Sequence, residues 1–137
     1  MKKRRNLFLL LVIIATAAGL LACKKKDEIK KIRDLDFTVV EDADLPGELK
    51  ELIEEKKSEP FKISYSNKDN LYIAVGYGKQ NSGGYSISVE ELYLTNNAIY
   101  IDTNLIGPSS GDVVAPGVTY PYVVVKLEYI DKRVVFE

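Results

Sequence analysis

From Pro60 to its last residue the chain is dominated by β-branched and aromatic residues, broken at short intervals by Asn, Gly and Pro, and this grammar commits it to strands. The spacing predicts strands over Phe61 to Ser66, Leu71 to Tyr77, Tyr85 to Leu94, Ile99 to Leu105, Tyr122 to Tyr129 and Arg133 to Phe136. Asn67 to Asn70 and Asn96-Asn97 supply turn chemistry between them. Within the third strand, apolar residues at 85, 87 and 89 alternate with Ser86, Ser88 and Glu90, and the pattern resumes out of phase at Leu92 and Leu94. A one-residue slip of this kind predicts a β-bulge near Glu90-Glu91.

In the strand from Tyr122, residues Val123, Val125, Leu127 and Tyr129 face one way, while Lys126 and Glu128 face the other. Val124 is apolar on the polar side. Upstream, Asp36 to Val40 reads as a strand, and Leu45-Pro46-Gly47-Glu48 opens a helical pattern that puts Leu49, Leu52 and Ile53 on one face. So many strands in one short chain point to a mainly β fold. The expected form is a small antiparallel β-sandwich, Ig-like, with one short N-terminal helix over an edge or end; a small barrel is the alternative.

The chain has no histidine and one cysteine, Cys23. This excludes Ser-His-Asp and Cys-His catalysis, zinc sites built on His or Cys, and any internal disulfide. No cofactor or metal site is expected. Cys23 closes Leu20-Leu21-Ala22-Cys23, which follows a basic cluster, Lys2 to Arg5, and an apolar run from Leu7 to Leu21. That run is shorter than the ~20 residues a spanning helix needs before it meets Lys24-Lys25-Lys26, which favours export and cleavage over a permanent span. The order resembles a bacterial lipoprotein signal peptide, cleaved between Ala22 and Cys23, with lipid attached to the Cys23 thiol. An uncleaved signal anchor is the alternative.

Residues 1–22 are therefore expected to be a signal peptide, and 23–35 a solvated lysine-rich tether leading to one β domain over 36–137. The protein is expected at the cell membrane, lipid-anchored on the extracytoplasmic face. Without the leader, 15 Lys+Arg stand against 20 Asp+Glu in 115 residues, a net charge of about −5. Such a balance gives no electrostatic reason to bind nucleic acid.

Two glycine-bearing segments stand out as candidate recognition loops. The first runs from Gly76 to Tyr85 and offers Lys79, Gln80, Asn81, Ser82, Gly83, Gly84 and Tyr85. It lacks the Gly-Lys-Ser/Thr order of a phosphate loop and has no helix behind it, which rules against nucleotide binding. The second runs from Ile106 to Tyr122 and offers Ser109, Ser110 and Gly111. A loop of this length is either functional or pinned across the surface. Tyr120, Pro121 and Tyr122 at its end read as a structural corner, with the isomer of the Tyr120–Pro121 bond left open.

Gly-x-Lys-x-x-x-Gly-Gly-Tyr-Ser-Ile at 76 to 87, with one further residue between its first elements, and Thr-Tyr-Pro-Tyr-Val-Val-Val-Lys at 119 to 126 resemble the C-terminal domain of the protease complex subunit PrcB family. The resemblance covers about residues 71 to 137. It departs where the family usually reads Pro-Thr-Gly-Gly-Tyr, since this chain has Asn81-Ser82-Gly83-Gly84-Tyr85. The resemblance implies a non-catalytic, protein-binding subunit of a surface protease complex. A second similarity is to chagasin-like protease inhibitors, with 79–85 and 107–111 as the paired loops.

The enzyme class would have to draw on Glu90, Glu91, Asp102, Asp112 or Glu128, and none of these forms a spaced constellation with a nucleophile or metal partner. The chain is accordingly expected not to be an enzyme, with a protein partner and a membrane as its two contacts. A structural surface lipoprotein without a dedicated partner remains the third class.

Overall fold

The computed structural model describes residues 29–137. The expected signal peptide and Cys23 lie outside the described residues. Two four-stranded sheets form the body. The first contains β1 (Lys31–Asp34), β6 (Ser86–Thr95), β7 (Ile99–Ile106) and β10 (Val134–Phe136), in the order β1-β6-β7-β10. The second contains β2 (Thr38–Val39), β3 (Pro60–Ser66), β4 (Asn70–Tyr77) and β9 (Tyr122–Glu128), in the order β2-β9-β4-β3. All pairings within them are antiparallel except β10 with β7, which is parallel. The fold is the expected mainly β sandwich.

The strand grammar explains the core between the sheets. Leu71, Ile73 and Val75 of β4 and Val123, Val125 and Leu127 of β9 meet Leu92, Ile99 and Ile101 of the opposite sheet. The phase slip in β6 is present as a bulge: Val89 lies opposite Thr103 and Glu91 opposite Asp102, so Glu90 is the extra residue. Side chains on both sides of the bulge therefore keep facing the core.

Helix α1 (Gly47–Lys56) corrects one expectation. It lies on the outer face of the β4/β9 sheet, not over an edge or end. Its fully buried Leu49 and Ile53 pack with Phe61, Tyr72, Ala74 and Val124 in a second core. This explains Val124, whose apolar side chain faces away from the sandwich because the helix covers it. β4 and β9 are thus covered on both faces, which suits their near-continuous apolar runs.

The hairpins close through side-chain caps. Asn67 Oδ1 accepts from the backbone N–H of Asp69 and Asn70, at 3.1 and 2.9 Å, in the β3–β4 turn. In the β6–β7 turn the buried Thr95 hydroxyl accepts from Ala98 N–H at 3.0 Å and lies 3.0 Å from the Ala98 carbonyl. At the other margin, β1 occupies 31–34, within the stretch expected to be a tether. All four of its residues are exposed, and backbone pairing with Tyr93 to Thr95 defines the strand. Leu35, just beyond it, is buried in the main core.

Gly76 belongs to β4 and not to the loop that follows it. It lies directly across from Phe61 on β3, and a Cβ at this position would overlap the Phe61 ring. Replacing Gly76 with Ala forces that ring out of the second core. We expect Gly76→Ala to lower unfolding free energy by about 1–3 kcal/mol in urea titration, and Phe61→Leu in the same chain to restore part of the loss. Additive effects of the two changes would contradict the contact.

Candidate functional site: a paired loop at one end of the sandwich

β4 ends at Tyr77, whose backbone N–H donates to the Pro121 carbonyl at 3.0 Å. Its hydroxyl lies 2.6 Å from Thr103 Oγ1, joining the two sheets at this end. Gly78 then turns the chain with φ +74°, a conformation costly for other residues. Any Cβ there would sit 2.8 Å from Pro60 Cδ. The turn launches β5 (Gln80–Ser82), which pairs antiparallel with β8 (Pro116–Thr119). The two candidate loops therefore form one two-stranded unit.

Three hydrogen bonds hold the unit beyond its ladder. Thr119 Oγ1 donates to the Ser82 carbonyl at 2.7 Å, Gly83 N–H donates to the Ala115 carbonyl at 2.9 Å, and Gln80 Nε2 reaches the Tyr77 carbonyl at 3.4 Å. At Gly84, φ is +86°, and a Cβ would stand 2.6 Å from Val114 Cγ1. The second loop crosses the first at this point, so the pair of glycines at 83 and 84 is a crossing and not a free tip. The Tyr85 ring lies against Gly107.

Beyond the crossing, Ser109 to Asp112 make a tight turn. Asp112 N–H donates to the Ser109 carbonyl at 3.0 Å, and the Asp112 carboxylate accepts from Ser109 N–H at 2.8 Å. Gly111, with φ +90°, takes the turn position that favours glycine. Ser109, Ser110 and Gly111 are exposed there, as are Lys79, Asn81 and Gly84, while Gln80, Ser82, Gly83 and Tyr85 are half-buried.

The part of the second segment that meets the first is 114–119, not 107–111; of the latter only Gly107 and Pro108 reach it. Sequence reasoning also passed over the exposed apolar side chains here. Val113 is fully exposed and Val118 is exposed beside the ribbon, and Tyr120, read from the sequence as part of a structural corner, is exposed as well. Val113-Val114 inside a turn-rich stretch was the available signal. Pro121 is half-buried after a trans peptide bond.

The carboxylates do not converge. Glu90 sits in the bulge near Ser88, Glu91 and Asp102 face each other across β6 and β7, Asp112 caps its own turn, and Glu128 is exposed at the far end of β9. Among the described residues no group of three or more His, Cys, Asp or Glu is placed to hold a metal ion. A cleft of about 570 Å³ lies where β1 leads into β2, lined by residues that include Arg33, Phe37, Lys126 and Tyr129. None of the candidate loop residues lines it.

Tyr122 secures the corner beneath the loops. Its ring lies 6.3 Å from that of Phe61, and its hydroxyl donates to Asp42 Oδ1 at 2.6 Å. Burial first, and the bond to the Asp42 carboxylate second, push its ionisation well above the ordinary value of 10.0. Below that value both folded and unfolded chains keep the proton and the contribution is complete. Above it the unfolded chain releases the proton while the folded one holds it, so stability falls as pH rises. Tyr122→Phe should make the decline above about pH 10 shallower in thermal melts; an unchanged slope would contradict this account.

No curated protein and no solved structure gives a significant match to the chain. A family match does fall on the loops just described, and it excludes α1 and the strands before β4. Residues 71–128, which run from β4 through β9 and include both arms of the ribbon, match the family model described as PrcB C-terminal, in agreement with the resemblance carried by the two loop motifs.

Proposed function

We propose that this protein is a membrane-anchored surface lipoprotein, held by lipid on Cys23, whose β domain is a non-catalytic binding module for a protein partner in a protease complex. The observation that carries the reading is the joining of both glycine-bearing loops into the β5–β8 ribbon at one end of the sandwich. Binding residues are commonly found on loops positioned by a rigid scaffold. Here the scaffold is the double-covered β4/β9 pair, and the ribbon presents Lys79, Asn81, Ser110, Val113 and Tyr120 to solvent.

The PrcB C-terminal match supports the choice of partner class, because it spans the ribbon and the strands that carry it. The non-catalytic reading draws on the scatter of the carboxylates and on a composition without histidine. The anchor reading draws on the leader pattern ending at Ala22-Cys23.

Capture from native membranes tests the reading. Full-length protein, the Tyr85→Ala variant and a variant with residues 79–84 replaced by a flexible linker would be compared for the proteins they retain. The expected outcome is recovery of a protease-containing assembly by the parent chain, with about tenfold less on loop replacement. Equal recovery by all three would overturn the loop assignment.

A further inference from the structure

We propose that the segment from Lys31 to Val39 is the lipid-facing surface of the protein, an inference that rests on the anchor reading above. This segment runs from β1, at one edge of the first sheet, to β2, at the edge of the second, and so closes one side of the sandwich. Along it Ile32 is 58% exposed, Phe37 39% and Val39 60%. Lys31 is exposed just before them, and Arg33, Asp34 and Asp36 are exposed between them. Exposed apolar side chains interleaved with cations are the composition that enters the boundary between headgroups and acyl chains.

Chain length supports lipid as the occupant. Seven residues lie between Cys23 and Lys31, so whatever conformation they take, the eight Cα–Cα steps keep β1 within about 29 Å of the Cys23 Cα. A bilayer is then always within reach of this segment. The acids Asp34, paired with Lys31, and Asp36 balance Lys31 and Arg33, so the segment carries no net charge. Apolar insertion, more than charge, therefore makes the contact. It supplies a second membrane signal beside the acyl chains, the arrangement that stable anchoring favours.

The strand topology gives the consequence. Lys31 pairs with Thr95 at the end of β6, whereas the loop ribbon adjoins the start of β6, the end of β4 and the start of β9. Along the strands β1 therefore lies about 20 Å from the ribbon, while β2, which pairs with Lys126 and Val125 midway along β9, lies about 10–13 Å from it. With segment 31–39 on the bilayer, the ribbon stays clear of the lipid and open to a protein partner.

Energy transfer in vesicles tests this directly. Cys23 is the only cysteine, so a chain acylated there offers no free thiol, and an introduced cysteine takes a fluorophore alone. Thr38→Cys and Ser110→Cys, each in the full-length acylated protein, would be reconstituted in phosphatidylethanolamine and phosphatidylglycerol vesicles carrying a headgroup acceptor. Transfer from position 38 should exceed that from 110, because Thr38 lies on the bilayer-facing segment and Ser110 on the loop beyond the ribbon. It should fall when Ile32→Asp and Val39→Asp are added to a chain whose circular dichroism is unchanged. Equal transfer from both positions, or no response to the two aspartates, would overturn the proposal while leaving the anchor intact. Labelling of the unsubstituted protein would show a free Cys23 thiol and overturn the anchor reading together with this one.

Discussion

The structure depends on burying one pair of strands on both faces. β4 and β9 pair over seven residues each, from Asn70 with Glu128 to Gly76 with Tyr122. Their odd-numbered apolar residues fill the gap between the sheets, and Tyr72, Ala74 and Val124 lie beneath α1. A chain without a disulfide draws its stability from packing, and here a single pair of strands contributes to two cores at once. Phe61 over Gly76 shows how tightly the second core is fitted, since even a methyl group in place of the glycine hydrogen would displace the ring.

The same strand pair positions the ribbon. β4 runs into Tyr77 and Gly78, and β9 begins at Tyr122 just after the bond from Tyr77 to Pro121. Both loops thus leave the sandwich from adjacent strands at one end. Tyr77 with Thr103, Tyr122 with Asp42 and Thr119 with Ser82 tie that end to the opposite sheet, to the segment before α1 and to the ribbon itself. A rigid base with exposed arms limits the ordering cost of binding, which suits a recognition surface.

Much of the fold was legible because sandwich strands carry a period of two. The slip between Val89 and Leu92 even marked the bulge at Glu90. The helix was legible from Leu49 and Ile53, but the surface it covers was not, because an apolar stripe records burial and not its partner. Val124 was the one residue that pointed to the answer. β1 was hidden because Lys31 to Asp34 are all exposed and the strand is defined by backbone pairing, which leaves no side-chain pattern. For the site, the two loops were legible from their glycines. Their pairing was not, because it is made by main-chain groups and one Thr hydroxyl across a separation of 37 residues.

The central claim is that the ribbon, and not the outer face of the β1-β6-β7-β10 sheet, meets a protein partner. Site-specific photo-crosslinking in intact cells tests it, with a photoreactive residue placed at Val113 on the loop and, separately, at Glu90 in the β6 bulge, both exposed. The account predicts a discrete crosslinked adduct from position 113 that contains a subunit of a protease complex, and none from position 90. An adduct from 90 alone, or none from 113 in cells where the protein is present and folded, would contradict it.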